Sequence, residues 1–96
     1  MYDAATEVTN RTHHTFKLVE STLGQMHAPP DLFYPKEPVV LYFSLGQHVK
    51  YEAQEDSNVT FTITITVRDG FETQQDGISL DVEPKGDNSR ANIYIN

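Results

Sequence analysis

The sequence predicts an all-β fold, an antiparallel β-sandwich of about seven to eight strands, formed by a single domain over residues 1–96. Three observations predict it. The first is the run Asn58-Val59-Thr60-Phe61-Thr62-Ile63-Thr64-Ile65-Thr66-Val67, in which apolar residues alternate with threonine. Successive side chains on a strand point to opposite faces, so one face carries Val59, Phe61, Ile63, Ile65 and Val67 and the other carries the threonines. That is a strand with one dry and one polar face. The second is the density of turn signals. Leu23-Gly24, Ala28-Pro29-Pro30-Asp31, Pro35-Lys36-Glu37-Pro38, Leu45-Gly46-Gln47, the segment 54–58, Arg68-Asp69-Gly70, Gln75-Asp76-Gly77 and Pro84-Lys85-Gly86-Asp87-Asn88 punctuate the chain. The third follows from the second: no helix of any length fits between these breaks.

The strands follow in order. Residues 5–9 read as a first, edge strand. Residues 14–20 alternate, with Phe16 and Leu18 on one face. Residues 39–44 are apolar on both faces, which predicts a central strand covered on both sides, or one whose second face meets a partner. Val49, Tyr51 and Ala53 alternate along the next strand. The threonine strand comes after it. Ile78, Leu80 and Val82 mark another, and Ala91, Ile93 and Ile95 the last. Between the second and third strands, residues 21–38 hold Pro29, Pro30, Pro35 and Pro38, which resist a central strand because proline has no N–H. The same segment holds Leu23, Met26, Leu32, Phe33 and Tyr34. A loop that keeps apolar residues either folds over the core or presents a recognition surface.

Composition narrows the function classes. The formal net charge is -7 and the sequence pI is about 4.8. Phosphate backbones repel such a surface, so nucleic acid is not an expected partner, whereas a basic protein surface would be attracted. The longest apolar run, Val39-Val40-Leu41-Tyr42-Phe43, is far short of the roughly 20 residues that cross a bilayer. No transmembrane span is expected, and no signal peptide opens the sequence. The absence of cysteine removes disulfides, thiolate metal sites and thiol catalysis together, and leans toward an intracellular or virion setting.

No motif carries catalysis. His13, His14, His27 and His48 form neither an HExxH helix nor a paired set on one strand face; His13 and His14 would point to opposite faces of a strand. Asp76, Asp81, Glu83 and Asp87 lie in or beside late turns, with Asp81 and Glu83 on the face opposite Leu80 and Val82. They lack the spacing of a calcium loop and read as solvated acids. Ser44 precedes Leu45-Gly46, which is no nucleophile elbow, and the glycines are isolated, so no phosphate loop exists. No cofactor is expected and the protein reads as a non-enzyme. A row of threonines can order water when several strands stack it in register; here cross-strand threonine pairing on an exposed face is expected instead. Asn10-Arg11-Thr12 and Asn58-Val59-Thr60 fit the N-glycosylation pattern, which a chain rich in Ser and Thr meets by chance. The aromatics are the better clue. Phe33 and Tyr34 sit in the proline-rich loop, Phe71 follows Asp69-Gly70 at a turn, and Tyr2 is terminal. Exposed loop aromatics anchor partners, so Phe33, Tyr34 and Phe71 are the candidate contact residues.

Val8-Thr9-Asn10-Arg11-Thr12 runs into Phe16-Lys17-Leu18, followed by Gly24, Ala28-Pro29-Pro30 and Pro35, and later by Val49-Lys50-Tyr51 ahead of the threonine strand. In this order the features resemble those of the aegerolysin and actinoporin-like group of small β-sandwich, cytolysin-type, lipid-binding proteins. The pattern covers about the first half of the chain. The resemblance implies a sandwich fold and a lipid-binding role. The chain departs from that group in having no tryptophan and in being shorter, so no site residue is carried over.

Two functional expectations follow. One is a non-catalytic binding module that recognises a lipid, cell-surface or protein partner through its loop aromatics. The other is a viral-type structural or inhibitory protein that assembles as a homo-oligomer through strand edges, or binds a basic partner through its acidic surface.

Overall fold

The computed structural model describes residues 4–24, 28–66 and 70–96, with Asp87 and Asn88 described in backbone only. Tyr2, Met26, His27, Val67, Arg68 and Asp69, which entered the reading of the sequence, lie outside the described residues. Among those described there is no helix. Nine strands run in chain order: β1 (Ala4–Asn10), β2 (Phe16–Ser21), β3 (Leu32–Phe33), β4 (Pro38–Phe43), β5 (His48–Ala53), β6 (Asp56–Thr66), β7 (Gly70–Asp76), β8 (Leu80–Lys85) and β9 (Asp87–Ile95). They form a four-stranded sheet in the order β4-β1-β9-β8 and a five-stranded sheet in the order β3-β2-β5-β6-β7, packed together.

The five-stranded sheet is antiparallel throughout and is built around β6. Val59, Phe61, Ile63 and Ile65 are all buried on its inner face. β5 lays Val49 beside Ile63 and Tyr51 beside Phe61. Phe61 and Tyr51 stack at 5.3 Å between ring centroids, while Phe16 meets Phe61 edge-on at 5.0 Å. Such offset and edge-on pairs add about 1 kcal/mol each beyond the area they bury. A bulge between Leu18 and Glu20 breaks the β2–β5 register and turns Val19 out to solvent, 49% exposed.

The four-stranded sheet departs from the antiparallel expectation. β1 runs antiparallel to β4 but parallel to β9, with Thr6 beside Ala91 and Val8 beside Ile93. β1 is thus an interior strand, not the edge expected for residues 5–9. β4 is the reverse case. It was expected to be central and covered on both faces, or to turn its second face to a partner; it is not central, and stands at the sheet's edge with Val40 47% exposed. Only Leu41 and Phe43 of this strand are buried. Phe43 meets Phe71 of the opposite sheet edge-on at 5.6 Å. The nine strands exceed the seven or eight expected, and two of them, β3 and β7, were not among those placed from the sequence. β3 has two residues, and β7 carries one apolar side chain, Phe71, so neither shows an alternating pattern.

The described residues of the 21–38 segment fold over the core. The Leu18 N–H donates to the Asp31 carbonyl at 2.9 Å, and the Tyr51 hydroxyl donates to the Pro30 carbonyl at 2.7 Å. Burial, with the Asp31 charge adding to it, holds the Tyr51 phenol protonated far above its ordinary range. Tyr51→Phe should therefore cost about 1 kcal/mol, the net worth of one hydrogen bond. Urea denaturation would measure that loss, and faster amide exchange at Leu18 would show the loop loosening.

Thr6 supplies the opposite test. It is 1% exposed, and its Oγ1 has no hydrogen-bond partner among the described residues. Its neighbours across the ladder are Leu41 and Ala91. Thr6→Val keeps the shape and removes the stranded hydroxyl, so thermal unfolding should show a gain of about 1 kcal/mol.

Candidate functional site

The three aromatic contact candidates do not converge. Phe33 is 1% exposed and meets Tyr51 and Phe61 edge-on. It is a core residue, because β3 pairs it with Phe16 and turns its ring inward. Tyr34, the next residue, points the other way and is 48% exposed. Phe71 packs half-buried on Phe43. β3 and β7 are opposite edges of one sheet, ~19 Å apart at the usual strand spacing. No single surface joins Phe71 to the proline-rich loop.

The strand registers instead assemble a surface on the outer face of the four-stranded sheet. Residues directly opposite on paired strands share a face. One row across that face is Tyr42, Ala5 and Arg90. The next is Val40, Glu7, Asn92 and Glu83. The third is Pro38, Thr9, Tyr94 and Asp81. In the first row a methyl group stands between a phenol ring and a guanidinium. The small residue leaves a depression of about 450 Å³ there, rimmed by Val40, Tyr42, Glu7, Asn92, Arg90 and Lys85. Lys85 reaches it because a bulge between Pro84 and Lys85 displaces the end of β8, and its Nζ lies 3.3 Å from Glu83. Arg90 has no ion-pair partner among the described residues. The third row is tied down: the Arg11 guanidinium lies 4.0 Å over the Tyr94 ring and the Asn96 amide donates to Asp81 at 2.7 Å.

The depression offers donors from Arg90, Lys85 and Asn92, acceptors from Glu7 and Asn92, and an aromatic wall from Tyr42. Among the described residues its lining holds no His, Cys or Ser. One signal for it was in the sequence. The apolar run 39–43 has two faces, and the fold needs only one. Ala5 and Arg90 gave no signal, because only the parallel β1–β9 pairing brings them together.

The histidines sit elsewhere. His13 and His14 precede β2 rather than lying on it, so they do not point to opposite faces; their ring centroids are 4.6 Å apart. His14 Nδ1 donates to Glu55 Oε1, and His48 pairs with Glu20 at 3.5 Å. Among the described residues no three His, Cys, Asp or Glu side chains could hold a metal ion. The threonine row faces out, but opposite charged and polar residues rather than other threonines. Glu52, Lys50 and His48 pair with Thr60, Thr62 and Thr64 on one side, and Asp76, Gln74 and Glu72 on the other.

Of the two glycosylation triplets, only Asn58 is exposed. Asn10 is fully buried; its amide donates to the His14 carbonyl and its Oδ1 accepts from the N–H and hydroxyl of Thr12. Asn10 thus closes the turn between β1 and β2, and the folded chain has no room for a glycan on it. Several of the residues that carry the sequence resemblance are of this kind. Val8, Phe16 and Tyr51 are core and Asn10 is a turn lock. Comparison with protein-family models, curated proteins and solved structures returns no match.

The hydrogen bond from His14 lowers the Glu55 carboxyl below its ordinary range. A depressed carboxyl contributes stability above its unfolded pKa and loses it as pH falls through the folded value. The thermal midpoint should therefore decline on acidification below the usual carboxylate range, and Glu55→Gln should flatten that decline. Unfolding curves recorded across acid pH check both.

Proposed function

We propose that this protein is a non-catalytic binding module that takes a neutral polyhydroxylated ligand, a surface glycan, on the outer face of its four-stranded sheet. The two packed sheets are read here as a β-sandwich that serves as a rigid support. The observation that carries the reading is the depression over Ala5, with donors, acceptors and one aromatic wall in a single rim. A sugar presents hydroxyls that both donate and accept, together with a C–H face that packs on an aromatic ring. An anion would meet Glu7 and Glu83 close by. An acyl chain would leave the charged rim groups desolvated without partners. The site's breadth and openness suit a ligand that lies across strands.

This reading moves the contact surface away from the loop aromatics. Tyr34 follows β3 near the Asn10 end of β1, since the Lys36 N–H donates to the Asn10 carbonyl at 2.7 Å. The depression is at the Ala5 end of the same strand, ~17 Å away at the usual rise per residue.

Chemical-shift mapping with neutral oligosaccharides, anionic oligosaccharides and lipid vesicles tests the proposal. Shifts should gather at Ala5, Glu7 and Asn92 with a neutral sugar. Arg90→Ala and Asn92→Ala should each weaken binding about tenfold, or ~1.4 kcal/mol, and Tyr34→Ala should leave it unchanged. Preference for vesicles, or loss of binding on changing Tyr34, would overturn it.

A further inference from the structure

Two sheets have four edges, and three are guarded against pairing with another chain. β8 carries Asp81, Glu83, Pro84 and Lys85 and ends in a bulge. β7 carries Glu72 and Asp76. β3 is two residues long and is followed by Pro35. Charges, proline, bulges and shortness are the usual means of blunting an edge. β4 has almost none of them. Its sequence Pro-Val-Val-Leu-Tyr-Phe is uncharged, its proline stands only at the first position, and its six-residue ladder with β1 runs without a register shift. No strand pairs with its other side among the described residues.

We propose that β4 is a self-association edge, and that two copies of this chain join through antiparallel β4–β4 pairing into a continuous eight-stranded sheet. The occupant is a second copy for two reasons. First, the strand is self-complementary. A two-fold axis at Leu41 sets Leu41 against its counterpart on the inner face and Val40 against Tyr42 of the other copy on the outer face. The axis makes this pair of a β-branched residue with an aromatic occur twice, and such pairs stabilise sheets. Second, charge selects this edge. Each copy carries a net charge of -7, so pairing through β7 or β8 would bring carboxylates of the two copies together. Residues 38–43 are the edge at which two acidic copies meet without charge. The shared strand is short, so the dimer is weak and reversible, and added salt strengthens it by screening the repulsion of the two bodies.

Sedimentation velocity from micromolar to millimolar protein, without ligand, at low and high salt, tests this. A monomer–dimer equilibrium that tightens with salt is expected. Val40→Lys places two charges beside the axis and should weaken dimerisation at least tenfold. Val19→Lys, at a site equally exposed on the other sheet, should leave it unchanged. Val40 is half exposed, so its replacement leaves the core intact, and matching unfolding curves would show that. Amide exchange provides a second readout: protection at β4 should rise with protein concentration. A monomer at every concentration and salt would overturn the proposal. So would a dimer indifferent to Val40→Lys, or protection that rises at β7 or β8 instead.

Discussion

Tyr51 has no exposed surface, yet it carries a hydroxyl that is costly to bury unpaired. The Pro30 carbonyl accepts from it. That requirement ties the proline-rich segment to the five-stranded sheet. Pro30 held against Tyr51 sets the approach of Asp31, whose carbonyl accepts from Leu18, and of Phe33, whose ring meets Tyr51 and Phe61. A segment with too many prolines for a full strand thus still delivers a large aromatic to the core. With Phe61 and Phe33 set against one phenol and Phe16 edge-on to Phe61, the inner face of the sheet has a single shape. The four-stranded sheet packs onto it mostly with smaller side chains, Phe43 being the exception.

How far this was legible depended on whether local pattern and tertiary role agreed. The threonine strand was plain, because every second residue is apolar and the structure buries those from Val59 to Ile65. The strands at Phe16, Val49 and Ile93 were visible for the same reason. β7 was not, since Thr73 and Gln75 occupy inward positions at a sheet edge where little packing is demanded of them. The apolar run at 39–43 suggested burial on both faces or a second face that meets a partner. Apolar content does not state whether a second face meets the core or the exterior, and here Val40 and Tyr42 face outward. Phe33 and Tyr34 show the same limit at single-residue scale. Adjacent aromatics in one loop have opposite fates, because strand alternation, which two residues cannot reveal, turns one in and the other out.

The outer face of the four-stranded sheet illustrates how binding geometry arises from ladder arithmetic. None of Ala5, Tyr42 and Arg90 is distinctive in the sequence. The registers of β4, β1 and β9 place them in one row, and the methyl group of Ala5 creates the hollow between two larger side chains. Glu7, Val40 and Asn92 complete the rim one row further on. The β4 edge lies next to this row, so pairing across it would set two hollows side by side on a single sheet. A ligand with repeating units could then engage both, and linkage would convert weak single contacts into stronger joint ones.

The parallel pairing of β1 with β9 has a bearing on how the chain reaches its native state. Ala5 lies beside Arg90, so this ladder joins segments from the two ends of the described chain. On the ribosome β1 emerges before β4 and can meet it once that strand is made, but its other side stays open until β9 is synthesised. Contacts of such long sequence separation form slowly, because the closure entropy is lost before the contacts compensate for it. During that interval Val8 and its neighbours present a half-finished sheet. The nascent chain is then at its most exposed to mispairing.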